Sequence, residues 1–176
     1  MAEKRLKKRT TVCLCVTALF MAINIVMSMS IFSIPVPGGH LYLNDIIICV
    51  ASILLDPFGA FMVGGVGAFL GDFFFYPTPM FVSLVTHGLQ AVAISLISHY
   101  TLKKHPAVAS GIGVTVGAVI MIAGYSIGRA FFYSTPETAL IKLPYQTLQA
   151  AVGAVFGMLI CWKLGIRKLF NKLMEK

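Results

Sequence analysis

Long apolar runs, broken by short polar or turn-forming stretches, fill this chain from near its start to residue 163. Crossing a bilayer takes about 20 apolar residues, and fewer when a helix is packed inside a bundle. Runs of that kind fall at roughly 10–32, 43–56, 58–75, 80–98, 107–133 and 142–163. The pattern predicts an all-α polytopic membrane protein: one domain over 1–176, a bundle of six transmembrane helices with a tail at 164–176. The second run is short and stops at Asp56-Pro57, so runs two and three are expected to form a hairpin. Pro77 and Pro79 mark another tight turn, because proline removes a donor and restricts the residue before it. In the tail, Ile166, Leu169, Phe170 and Leu173 alternate with basic residues, which suits a short helix lying on the membrane surface.

Composition agrees: 58% of the 176 residues are hydrophobic and 11% charged, whereas soluble domains carry about 25% charged residues. The net charge of +8 does not point to nucleic acid, because the basic residues sit on the flanks of the apolar runs. Lys4, Arg5, Lys7, Lys8 and Arg9 precede the first run, Lys103 and Lys104 occupy one loop, and Lys163, Arg167, Lys168, Lys172 and Lys176 close the chain. Lys and Arg stay on the cytoplasmic side, so six crossings put both termini and the 103–104 loop inside. Arg129 and Lys142 fall on the other side and need another explanation. The run from Thr11 to Phe32 exceeds the ~7–15 apolar residues of a signal peptide and lacks an A-x-A site, so it reads as a retained helix. Cys13, Cys15, Cys49 and Cys161 form no C-x-x-C pair and read as apolar packing residues, with neither metal nor disulfide implied.

Against this background the polar residues inside the runs stand out: Asn44, Asp45, Asp72, His87, Gln90, Tyr125, Arg129, Gln146 and Gln149. A charged side chain at mid-membrane costs at least ~2.5–3.5 kcal/mol, so it persists where it meets a partner, a cavity or a ligand. Counting ~1.5 Å per helical residue, all nine fall in the outer half of the bundle. They lie beneath the loop Ser33-Ile34-Pro35-Val36-Pro37-Gly38-Gly39-His40, which suggests a small-molecule site with a lid. Blander readings stand beside this one. Asp72 or Asp45 with Arg129 is also the makings of a structural ion pair, His87 of a satisfied core histidine, and Gln146 with Gln149 of interhelical glue. Small residues at four-residue spacing, such as Ala60, Gly64 and Ala68 or Gly153 and Gly157, let helix backbones approach closely. Catalytic motifs are missing from the sequence. Phe69-Leu70-Gly71-Asp72 lacks the first glycine of G-x-G-D, and there is no H-E-x-x-H, G-x-S-x-G or G-x-x-x-x-G-K-[ST]. The reading is a non-enzyme without cofactor, and active transport would need a separate ATPase.

The run Leu43-Asn44-Asp45, then Leu54-Leu55-Asp56-Pro57-Phe58-Gly59-Ala60, Gly64-Gly65-Val66-Gly67 and Leu70-Gly71-Asp72, resembles the substrate-binding S component of energy-coupling-factor (ECF) vitamin transporters. Gly124-Tyr125 and Pro144-Tyr145-Gln146-x-x-Gln149 are similar to the riboflavin-type and hydroxymethylpyrimidine/pyridoxine-like branch, with Tyr145 where that pattern has asparagine. The resemblance implies a bacterial plasma-membrane protein that captures a vitamin or precursor from outside. It implies docking on a module of one coupling membrane subunit and two ATPase subunits. It also implies that Ala18 and Ala22, in Ala18-Leu19-Phe20-Met21-Ala22, contact the coupling subunit. For the ligand, a pyridoxine- or hydroxymethylpyrimidine-like ring suits carboxylates, amides, His87 and a stacking tyrosine. Pantothenate or riboflavin, and a structural membrane subunit without ligand, are the alternatives.

Overall fold

The computed structural model describes residues 2–29 and 33–175, with side chains from Arg9 to Met174 within them. Its elements are α1 (Ala2–Met27), β1 (Ile34–Val36), β2 (Gly39–Leu41), α2 (Asn44–Leu54), α3 (Pro57–Phe75), α4 (Met80–Tyr100), α5 (Pro106–Tyr133), α6 (Pro136–Lys163) and α7 (Ile166–Glu175). The fold is all-α and polytopic. Five helices are long and apolar enough to cross a membrane: the Arg9–Met27 part of α1, then α3, α4, α5 and α6.

The second run departs from expectation. Its helix has 11 residues, about 16 Å at the α-helical rise and only half of a ~30 Å hydrocarbon layer. Leu55 and Asp56 are both extended, at ψ 156° and 166°. Extension is what the residue before Pro57 favours, so the chain reverses there instead of adding another turn. Short as it is, α2 is the axis of the bundle, packed by α1, α4 and α6. Ile48, Ala51 and Ile53 are fully buried on it.

Close approach is arranged by small residues. A Cβ added at Gly153 of α6 would lie 2.6 Å from the Cβ of Asp45, and one at Gly157 would lie 2.6 Å from the Cβ of Cys49. The pair Gly153/Gly157 is thus the seat of Asp45/Cys49, one turn matched to one turn. On α3, a Cβ at Gly64 would stand 2.8 Å from the backbone oxygen of His87. Such contacts let helices associate where no hydrophobic effect drives them together. They also fix how each helix is rotated.

Other boundaries shift as well. Helix one was expected at 10–32, but it begins at Ala2 and ends at Met27; residues 30–32 lie outside the described residues. Helix six starts at Pro136 and not near 142, because Thr135 and Thr138 form a reciprocal capping box and proline suits the first helical position. Within α3, a π turn at Met62–Val66 displaces the backbone ladder, and Asn24 of α1 donates to the Val63 carbonyl there at 2.6 Å. The loop expected over the polar residues is an antiparallel hairpin, Pro35 opposite His40, whose turn takes Gly38 and Gly39 to φ 80° and 138°. At the opposite end α7 folds back on the bundle. Ile166 and Phe170 pack on the apolar core, and Arg167 stacks on Trp162 at 4.8 Å.

Candidate functional site

Beneath the hairpin the bundle encloses a cavity of about 100 Å³. Seven of the nine residues singled out in the sequence line it: Asn44 from α2, Asp72 from α3, His87 from α4, Tyr125 and Arg129 from α5, Gln146 and Gln149 from α6. Asp45 and Gln90 do not. Both are 1% exposed and lie behind the lining.

Their position there has a chemical logic. Asp45 accepts from Gln90 Nε2 at 3.0 Å on one oxygen and from Gln149 Nε2 at 2.6 Å on the other. A carboxylate only accepts, so both amides must turn their nitrogens inward and their oxygens outward. The oxygen of Gln149 accepts from the backbone N–H of Tyr42 at 3.0 Å, where the hairpin joins α2. The oxygen of Gln90 lies 2.7 Å from His87 Nδ1. Nδ1 therefore carries a proton, and in the neutral form of the ring the lone pair lies on Nε2. Asp45 thus sets the tautomer of a cavity-lining histidine that it meets only at 3.8 Å.

The alternative of a structural ion pair between Arg129 and Asp72 or Asp45 is not realised. Asp72 accepts from Ser83 Oγ, which in turn lies 2.5 Å from the Tyr125 hydroxyl. Arg129 donates to Gln146 Oε1 at 3.2 Å and stands over the Tyr133 ring at 5.6 Å. Gln146 is held in that orientation because its amide nitrogen donates to the Ile122 carbonyl at 2.8 Å. Arg129 opens the π turn Arg129–Tyr133 that ends α5, so the unusual backbone and the charge fall together. His87 meets Tyr125 edge-on, ring centres 5.2 Å apart.

Several lining residues were not among those singled out for the site, Tyr42, Tyr76, Tyr133 and Lys142, and His40 of the lid loop lines it too. Lys142 donates to the His40 carbonyl at 2.5 Å and so ties α6 to the hairpin. Its signal was present in the sequence, as one of two basic residues away from the cytoplasmic flanks. Burial, with the Asp72 charge second, pushes the Tyr42 phenol above its ordinary range, which keeps it a neutral donor.

An all-α polytopic membrane protein with a polar cavity at one end of its bundle is the class the fold defines. Residues 8–165 match the model of the family described as ECF-type riboflavin transporter, S component, and the chain belongs to that family. It is the substrate-binding component of a transporter and not an enzyme, a multi-pass cell-membrane protein whose partners are an ECF module of transmembrane and ATPase subunits and a vitamin. The reading as a structural subunit without ligand falls away. No curated protein matches the chain.

Proposed function

We propose that the cavity under the hairpin is the vitamin site and that it takes a single polar ring, a pyridoxine- or hydroxymethylpyrimidine-like vitamin or precursor. The observation that carries this reading is the lining itself: polar side chains from five helices, Asn44, Asp72, His87, Tyr125, Arg129, Gln146 and Gln149, converge on one cavity beneath the hairpin, as the convergent polar groups of a small-molecule site do. The cavity's size supports one ring, since about 100 Å³ is small beside the ~300–1,000 Å³ of sites for larger ligands. Riboflavin is the second reading, favoured by the name of the matching family.

Thermal unfolding of the purified chain against single-ring vitamins, their derivatives and riboflavin separates the two. A bound compound at 100 times its dissociation constant stabilises by about 2.7 kcal/mol, and the expected shifts come from the single-ring compounds. Stabilisation by riboflavin alone assigns the second reading. No shift with any vitamin rejects the site.

The basic flanks support an orientation with both termini and the Lys103-Lys104 loop in the cytoplasm and the cavity outside. A cysteine placed beside Lys103 in a cysteine-free background is expected to resist an impermeant thiol reagent added to intact cells. Labelling of that cysteine would invert the arrangement. For the partner, a module of one coupling membrane subunit and two ATPase subunits is proposed to dock on α1, where Ala18 and Ala22 are exposed.

A further inference from the structure

Two cations line the cavity and neither meets a carboxylate. Arg129 is 9% exposed and Lys142 3% exposed, so both are largely withdrawn from water. Their partners are neutral: the Gln146 side-chain oxygen and the Tyr133 ring for Arg129, the His40 carbonyl for Lys142. Both nearby carboxylates are committed elsewhere, Asp72 to Ser83 and Asp45 to Gln90 and Gln149. A buried ion is tolerated when its charge is balanced and its hydrogen bonds are filled. Here carbonyl oxygens fill some of the bonds, and nothing among the described residues pairs with either charge.

We infer that the ligand brings the missing charge: the ring carries an acidic substituent, a carboxylate or a phosphate monoester, seated between Arg129 on α5 and Lys142 on α6. This rests on the cavity being the vitamin site. Arg129 supplies a planar fork suited to two acidic oxygens, and Lys142 a point charge beside it. Asn44 from α2 and His87 from α4 also line the cavity and meet the ring's polar groups. The site is thereby divided, with cations on the α5/α6 side and uncharged polar groups such as the Asn44 amide on the α2/α4 side. A neutral ring fills only the second half.

The test compares matched compounds by thermal shift and calorimetry on the purified full chain: pyridoxine, the same ring with a carboxylate in place of a hydroxymethyl group, and the same ring with a phosphate ester. Riboflavin and its 5′-phosphate form a second pair. At least one acidic form is expected to bind about tenfold or more tightly than its neutral parent, as charge-assisted hydrogen bonds exceed neutral ones. Whichever acid is preferred names the group. In Lys142→Met and Arg129→Gln the ratio of acidic to neutral affinity should fall toward one, and Arg129→Lys, which keeps charge and bulk, should retain part of it. A neutral parent that binds as tightly as both acids overturns the acidic-ligand inference and leaves the vitamin site standing. Absence of binding by neutral and acidic rings alike overturns both. Stabilisation by anionic phospholipid, with none from the soluble acids, also overturns it, because the charge would then come from lipid.

Discussion

Asp45→Ala is expected to lower the stability of the protein by roughly 3–5 kcal/mol and to abolish ligand binding. The side chain contacts no cavity surface, so the effect is transmitted through its neighbours. Removing the carboxylate strands two buried amide nitrogens, those of Gln90 and Gln149. Hydrogen bonds to a charged group are worth about 1.5–3 kcal/mol each, and the two bonds here share one acceptor group. Gln149 then loses its hold on the Tyr42 backbone, and Gln90 is free to turn. Asp45→Asn is the sharper probe because it keeps the shape. One of its two positions becomes a donor facing a donor, which forces one glutamine to flip. If Gln90 flips, its nitrogen faces His87 Nδ1 and the ring must move its proton to Nε2, turning a cavity acceptor into a donor. Nitrogen-15 NMR of labelled histidine reads this directly. The native protein should show the Nδ1–H form for His87 and Asp45→Asn an increased share of the Nε2–H form. An unaltered melting temperature in Asp45→Ala, or an Nε2–H ring in the native protein, would remove Asp45 from this role.

Asp45 also shows what a linear reading can deliver here. The depth of each polar residue was legible, because residue count along a helix converts directly into height. Seven of the nine residues chosen on depth do line one cavity. Rotation about each helix axis was not legible. Asn44 and Asp45 are neighbours at one depth, yet consecutive helical residues point about 100° apart, so Asn44 faces the cavity while Asp45 faces α4 and α6. The rotation is set by which small residues seat against which helix, and Gly153 against Asp45 is a fact of tertiary packing. For the same reason opposite charges at similar depth suggested pairs with Arg129 that do not form. The 43–56 run hid its true helix length, since Leu55 is as apolar in an extended turn as in a helix. Lys142 was visible as an anomaly of charge. Its place in the cavity depended on α6 beginning at Pro136, which puts it inside the helix and not at its start.

The second large effect concerns α1 and the proposed contact with the coupling subunit. Only 6% of the Arg9–Met27 span is buried, far less than in the other spanning helices. Asn24 and Ser28 hold one side of it against Gly67 and Gly71 of α3. Leu14, Ala18, Ala22 and Val26 recur every fourth residue and are exposed, a stripe with large side chains at its ends and small ones at its centre. The bland alternative, that Ala18 and Ala22 serve packing within this bundle, does not suit exposed positions. Ala18→Trp with Ala22→Trp fills the hollow and would hold a partner helix away. Because neither position is buried, the double mutant is expected to melt within about 0.5 kcal/mol of the native protein and to bind ligand with native affinity. Uptake in cells containing the ECF module should nevertheless be lost. Leu19→Trp, also exposed but about 100° around the helix from Ala18 and about 60° from Ala22, controls for bulk on the lipid-facing side and should transport normally. Transport by the double mutant would take the docking face off α1, and failure of both variants would show that bulk anywhere on α1 impairs the assembly, whatever Ala18 and Ala22 touch.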